Sequence, residues 1–145
     1  MAKQSGFPAK VQVDDSTNTL RDISNDVTSF EISTPSGMQE ITGVDKSALE
    51  RLLLLADGKV SLKGVFNPAA NVSHDVFKNY RTLLAGQVGR TTTIDPSGVV
   101  AGSARLTMEL VFSGYDLSRG EDGSLTWSAE GQLADGTVPA WITVP

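Results

Sequence analysis

The sequence predicts a mainly β chain, an antiparallel β-sandwich or rolled β-barrel with one main flanking α-helix at about residues 74–85 and a long loop at about residues 33–46. Three observations carry this prediction. Apolar and polar residues alternate in several short runs, as strands with one buried face require. Clusters of Gly, Pro, Asp, Asn and Ser punctuate those runs. One segment repeats apolar residues at helical spacing (Val76, Tyr80, Leu83, Leu84), and such a stripe has to be buried on a sheet.

The elements follow in order. Val11 and Val13 alternate with Lys10 and Gln12, and Asp14 to Asn18 supplies turn chemistry before Leu20 and Ile23, so a β-hairpin is expected. A strand follows over Val27–Ile32, with Phe30 and Ile32 on one face. Thr34-Pro35-Ser36-Gly37 ends it, because Pro cannot donate to a ladder. The long loop then runs to about Lys46, with room for a short strand around Gln39–Thr42. Ser47 and Glu50 have capping-box spacing, and Leu49, Leu52, Leu53 and Ala56 follow at helical intervals. This predicts a short helix over Ser47–Leu55, in competition with an extended conformation.

Asp57-Gly58 turns the chain into a strand with Val60, Leu62 and Phe66 on one side, ended by Asn67-Pro68. Ser73 is placed to cap the main helix, Asp75 suits the positive end of its dipole, and Gly86 stops it. Strands are then expected at Thr91–Ile94, through Leu106, Met108, Leu110 and Phe112, over Leu125–Leu133, and over Thr137–Thr143. A polar hairpin tip falls at Ser118–Gly123.

The 145 residues suit one domain over 1–145, with Met1–Gly6 as a flexible N-terminal arm. The longest apolar run, Leu52–Ala56, is far short of the ~20 residues of a membrane-spanning helix, and the N-terminus lacks the apolar stretch of a signal peptide. No membrane association is expected, and assembly is expected in the cytoplasm. Cysteine is absent, which removes disulfides, thiolate metal ligands and thiol nucleophiles. The net charge of −5, with Lys and Arg scattered, argues against tight binding to a phosphate backbone.

Catalytic chemistry finds no constellation, so neither an enzyme nor a cofactor is expected. His74 stands alone and is expected to be an exposed helix-start residue. Asp14, Ser16, Asn18, Asp22 and Asn25 have the every-second-oxygen spacing of a calcium loop, but Thr19 and Asn25 occupy the positions that need Gly and a bidentate Glu. A turn explains them better. Gly86–Arg90 lacks the ending of a phosphate loop.

Four segments, FPAKVQVDDSTNTLRDISNDVTSFEI, ITGVDKSALERL, DGKVSLKGVFNP and DGTVPAW, taken in this order and spacing, resemble the tail tube proteins of long-tailed bacteriophages and related prophages over nearly the whole chain. The resemblance implies a virion structural protein that self-assembles into hexameric rings, stacked as a hollow tube through which DNA passes without tight binding. It also implies the tape measure protein and the tail-tip and terminator proteins as partners. By the same resemblance, Met38, Gln39, Ile41, Thr42, Val44, Asp45 and Phe7 are candidates for contacts between subunits. Thr107, Glu109, Thr126, Ser128, Glu130 and Gln132 are candidates to face the lumen. The Leu-rich SALERLLLLADG departs from the family's plain loop.

Two alternatives stand beside this reading. One is a single-ring tail or baseplate protein, or a secretion-system tube relative. The other is a small ligand-binding β-sandwich using Trp127 and Trp141 as its platform, against which the alternation of Trp127 with Leu125 and Ala129 favours a core position.

Overall fold

The computed structural model describes residues 8–83 and 85–145. Its elements are β1 (Lys10–Asp14), β2 (Leu20–Asp22), a 3-10 turn (Ser24–Asp26), β3 (Val27–Ser33), β4 (Ser36–Glu40), β5 (Arg51–Ala56), β6 (Lys59–Val65), α1 (Ser73–Phe77), β7 (Arg90–Asp95), β8 (Ala104–Arg119), β9 (Leu125–Leu133) and β10 (Ala140–Thr143). The expected Met1–Gly6 arm and Phe7 lie outside the described residues, as does Leu84.

An eight-stranded antiparallel sheet runs in the order β2-β1-β7-β8-β9-β6-β3, with β10 pairing the first part of β8. Laid flat, its outer strands would stand six spacings of ~4.8 Å apart, about 29 Å. Yet Asp22 and Val27 are joined through the 3-10 turn by a chain that reaches at most ~18 Å even when straight. The sheet is therefore rolled. Asp26 anchors the closure: its buried carboxylate accepts Asn67 Nδ2 at 2.9 Å and the Ser73 amide at 3.2 Å. Gly64 permits it, because a Cβ there would lie 1.8 Å from the Asp26 carbonyl oxygen.

One core fills the roll, built from Val11, Val13, Ile94, Leu106, Met108, Leu110, Phe112, Val60, Leu62 and Trp127, with Val76 and Phe77 of α1. Trp127 is buried, and its Nε1 donates to the Val65 carbonyl at 3.0 Å. It is a core residue and not an exposed platform.

The main helix is shorter than its periodicity predicts. It ends at Phe77, and the backbone continues in tighter turns, Tyr80 N–H to Phe77 O and Thr82 N–H to Asn79 O. Arg90 supplies the reason. Its buried guanidinium donates to the carbonyls of Val76 at 2.5 Å, of Asn79, and of Thr82 at 3.2 Å. A longer α-helix would need the Val76 and Asn79 carbonyls for its own i→i+4 bonds. Ser73 is the first helical residue rather than the cap, a position held by Val72.

A bulge in β8 also escapes sequence alternation. Phe112 pairs Gly131, but Gly114 pairs Glu130, so the register shifts by one residue and the inward parity changes from even to odd. Tyr115 thereby turns onto the core, with its ring 5.8 Å from Phe77 and 6.1 Å from Trp127. Its hydroxyl lies 3.0 Å from His74 Nδ1, and the His74 ring packs edge-on against Phe66. His74 is thus half-buried and partnered, not the exposed residue the sequence suggests.

Candidate assembly surfaces

The segment expected as a long loop followed by a helix is a β-hairpin arm. β4 and β5 pair only with each other, joining Met38 to Leu53, Gln39 to Leu52 and Glu40 to Arg51. The Thr42 hydroxyl accepts the Glu50 amide at 2.8 Å, and the Ile41 amide donates to Glu50 O at 3.0 Å. These bonds draw Glu50 into the hairpin and away from a capping box. A nine-residue helix with no surface to cover is marginal in water, so strand pairing prevails.

From Ser33 to Leu55 every residue is exposed except half-buried Thr42. Met38 and Leu53 share one face, while Leu52, Leu54 and Ile41 share the other. Leu55, at the register shift, is 91% exposed. The arm is apolar on both sides. Large apolar groups in such a cluster mark an interaction surface rather than ordinary surface chemistry.

A second apolar region lies at β10. Among the described residues the strand is hydrogen-bonded on one edge, to β8. Trp141 pairs Leu106 and Ile142 pairs Arg105, so the two side chains stand on opposite faces, each about half exposed, with exposed Val138 just before them.

The outer face of the rolled sheet is largely polar, with Val65 and Val111 exposed on it. Thr107, Glu109, Thr126, Ser128, Glu130 and Gln132 all fall on it, because their neighbours Met108, Leu110, Trp127, Ala129 and Gly131 point inward. Glu130 pairs with Lys59, and Glu109 accepts the Thr91 hydroxyl. The Glu130 carboxylate, hydrogen-bonded to Lys59, holds that ammonium above its ordinary pKa. Arg105 grips Asp95 with two bonds of 2.7 and 3.1 Å. Lys59 and Arg105 are thus matched locally, which weakens their pull on a polyanion, while Lys63, opposite Ser128, has no ion pair among the described residues.

Solved structures share this fold. A chain from the tail of an empty gene transfer agent particle, computed with helical refinement and C6 symmetry, matches with a TM-score of 0.69 at 15% identity, covering 99% of this chain and 100% of that one. The protein has the fold of that chain. A chain from the native gene transfer agent virion gives 0.67 at 15% identity over 97% and 100% of the two chains. One from the six-fold symmetrised baseplate of the anti-feeding prophage gives 0.61 at 10% over 99% and 96%. No protein-family model and no curated protein matches the chain.

In this fold Met38, Gln39, Ile41, Thr42, Val44 and Asp45 lie in β4 or in the turn that joins it to β5. The Thr42 hydroxyl, however, is engaged within the arm. Sequence reasoning missed Leu52 to Leu55 as surface residues, because their spacing also fits a helix stripe. The signal was the four-leucine run itself, followed at once by Ala56 and the Asp57-Gly58 turn.

The acidic β1–β2 turn is occupied with its own backbone. Asp15 accepts the Thr17 amide at 2.9 Å, the Thr17 hydroxyl at 2.7 Å, the Thr19 amide at 3.0 Å and Arg21 Nε at 2.9 Å. Asp22 accepts the Ser24 amide and hydroxyl, and Asp14 accepts the Thr91 amide at 3.3 Å. Among the described residues no group of three or more His, Asp or Glu is placed to hold a metal ion.

Burial alone would raise the Asp15 pKa, but the bonds from Thr17, Arg21 and the Thr19 amide outweigh it and hold the carboxyl well below the usual carboxylate range. Its stabilising contribution is therefore complete above the unfolded value of ~3.9 and is lost as pH falls toward the folded value. Asp15→Asn is expected to lose about 2 kcal/mol at pH 7. Urea midpoints should show the gap from the parent protein narrowing at pH 3, and a gap of constant size would reject this account.

Proposed function

We propose that this chain is the subunit of a phage-like tail tube, forming hexameric rings that stack into a hollow conduit for DNA. The observation that carries the reading is the match in fold over essentially the whole chain to a tail chain of C6 symmetry. The exposed two-sided arm supports it, since a protein working alone has no use for such an element. The reading makes the protein structural rather than catalytic, places it in the virion tail after assembly in the host cytoplasm, and treats residues 1–145 as one domain. Its partners are other copies of itself, the tape measure protein, and the tail-tip and terminator proteins.

In this reading Met38, Ile41, Val44 and the arm leucines contact neighbouring subunits. The polar face bearing Thr107, Glu109, Thr126, Ser128, Glu130 and Gln132 lines the lumen. Its carboxylates and the pairing of Lys59 and Arg105 with them suit DNA that must slide without being held.

A second reading, a single-ring baseplate component, is favoured by the likeness to the baseplate chain. Electron microscopy of the purified protein at high concentration separates the two. Uniform hollow tubes are expected, isolated six-fold rings would favour the baseplate reading, and monomers at every concentration and salt would overturn both.

A further inference from the structure

The arm continues the β3–β6 pairing. Ser33 pairs Lys59 at the end of the main sheet, and Ser36 pairs Ala56 in the arm, with Thr34-Pro35 and Asp57-Gly58 between them. At that point the two strands leave the sheet together, and β5 pairs only with β4. The departure has a consequence for β10. Along the edge of β8, β9 occupies the stretch from Leu110 onward and β10 occupies Ala104–Thr107. β6 covers the outer edge of β9, and its run ends where Gly58 O accepts the Leu133 amide at 2.8 Å. Gly58 is buried there, and a Cβ on it would lie 3.1 Å from Pro139, next to the start of β10. Had the chain before β6 run straight on, β5 would have lain beside β10. It turns away, and the outer edge of β10 carries no strand among the described residues.

We propose that this edge receives the arm of a second copy of the chain, each subunit supplying to a neighbour the strand that its own arm withdrew. The inference rests on the self-assembly reading above and assigns the arm its receptor. A strand added at an edge sends alternate side chains to both faces of the sheet, so its neighbour must offer apolar surface on both. β10 offers Trp141 on one face and Ile142 on the other. β5 brings Leu53 on one face and Leu52 and Leu54 on the other. Among the described residues each element also has an edge with no strand on it, which favours pairing and would otherwise be a liability. A receptor and a ligand on the same chain that do not pair with each other among the described residues give, between copies, a heterologous contact that propagates around or along an assembly.

The absence of cysteine makes the contact testable by disulfide trapping. Leu53→Cys and Leu54→Cys, one for each face of the arm, are each mixed with Ile142→Cys under assembling conditions, oxidised and run on a non-reducing gel. The expected result is a disulfide-linked dimer in the mixture with at least one arm variant, absent from either variant oxidised alone, since a disulfide needs Cα atoms within ~7 Å. Tubes that yield no mixed dimer overturn this inference and leave the tube reading intact. Disulfides between two Ile142→Cys chains mean that the edge pairs with its own kind and also overturn it. A double variant, Leu53→Cys or Leu54→Cys combined with Ile142→Cys, that closes only within one chain assigns the edge to the protein's own arm and likewise overturns it. Monomers throughout, without any mixed dimer, would overturn both readings.

Discussion

If the chain builds the proposed tube, excision of the whole arm, Ser36 through Ala56, is expected to abolish tube formation and leave a folded monomer. Pro35 and Asp57 are rejoined through an Asn-Gly turn, which suits the hairpin because the Asp57 amide already bonds the Pro35 carbonyl at 2.8 Å. No residue of the arm belongs to the core cluster. Stability in urea is therefore expected to stay close to the parent, within about twice the ~0.5 kcal/mol typical of single changes outside packed or networked sites. Electron microscopy at matched concentration reads the other half of the result. Persisting tubes would reject the arm as the assembly element, and an unfolded product would show that it belongs to the fold. The cut has to take both strands. Removing only residues 37–45 would strip β4 from β5 and leave Leu52 to Leu55 in a strand with no partner, a sequence of the kind that aggregates.

Trp127→Ala has the largest expected effect on stability, a loss of about 3–5 kcal/mol. The ring is buried, 5.2 Å from Phe77 and 6.1 Å from Tyr115, and its Nε1 proton goes to the Val65 carbonyl. Truncation opens a cavity between β9 and α1 and leaves that carbonyl without its donor. Against the ~5–15 kcal/mol that separates most domains from unfolding, this is a large fraction. Trp141→Ala, at a half-exposed ring, should stay within ~0.5 kcal/mol in the monomer and act on assembly instead. Equilibrium unfolding of the two variants side by side provides the measurement. A loss below ~1 kcal/mol at Trp127 would sink the core assignment.

The strands were legible wherever one face is buried and the other wet. Val60 and Leu62 in β6, Leu106 to Phe112 in β8, and Trp127 and Ala129 in β9 alternate cleanly, and their inward residues all lie in the core. The legibility fails at three places. The helix was over-extended because periodicity through Leu83 cannot reveal that Arg90, remote in sequence from Val76, takes its carbonyl. The β8 alternation breaks at Ser113–Gly114, where a bulge adds a residue, and Gly114 is its local mark in the sequence. His74 looks isolated in the sequence because its partner, Tyr115, turns toward it only after that bulge.

The leucines of β5 were the hardest case. Leu49, Leu52, Leu53 and Ala56 fit a helix face, yet the same run alternates in a strand, and local sequence weighs these two alternatives nearly equally. Pairing with β4 decides between them. Nothing local could show that both faces would then remain open.

The sequence by itself determined the strand class, the absence of thiol chemistry, the turns and most core positions, because those follow from side-chain polarity at a spacing of two and from local backbone preferences. Only the tertiary structure decided that the sheet rolls, that the arm leaves it at Pro35 and Gly58, and that the outer edge of β10 carries no strand among the described residues. The physical reason is that these features depend on hydrogen-bond partners distant along the chain, and the apolar pattern of a strand does not state which neighbour will satisfy it.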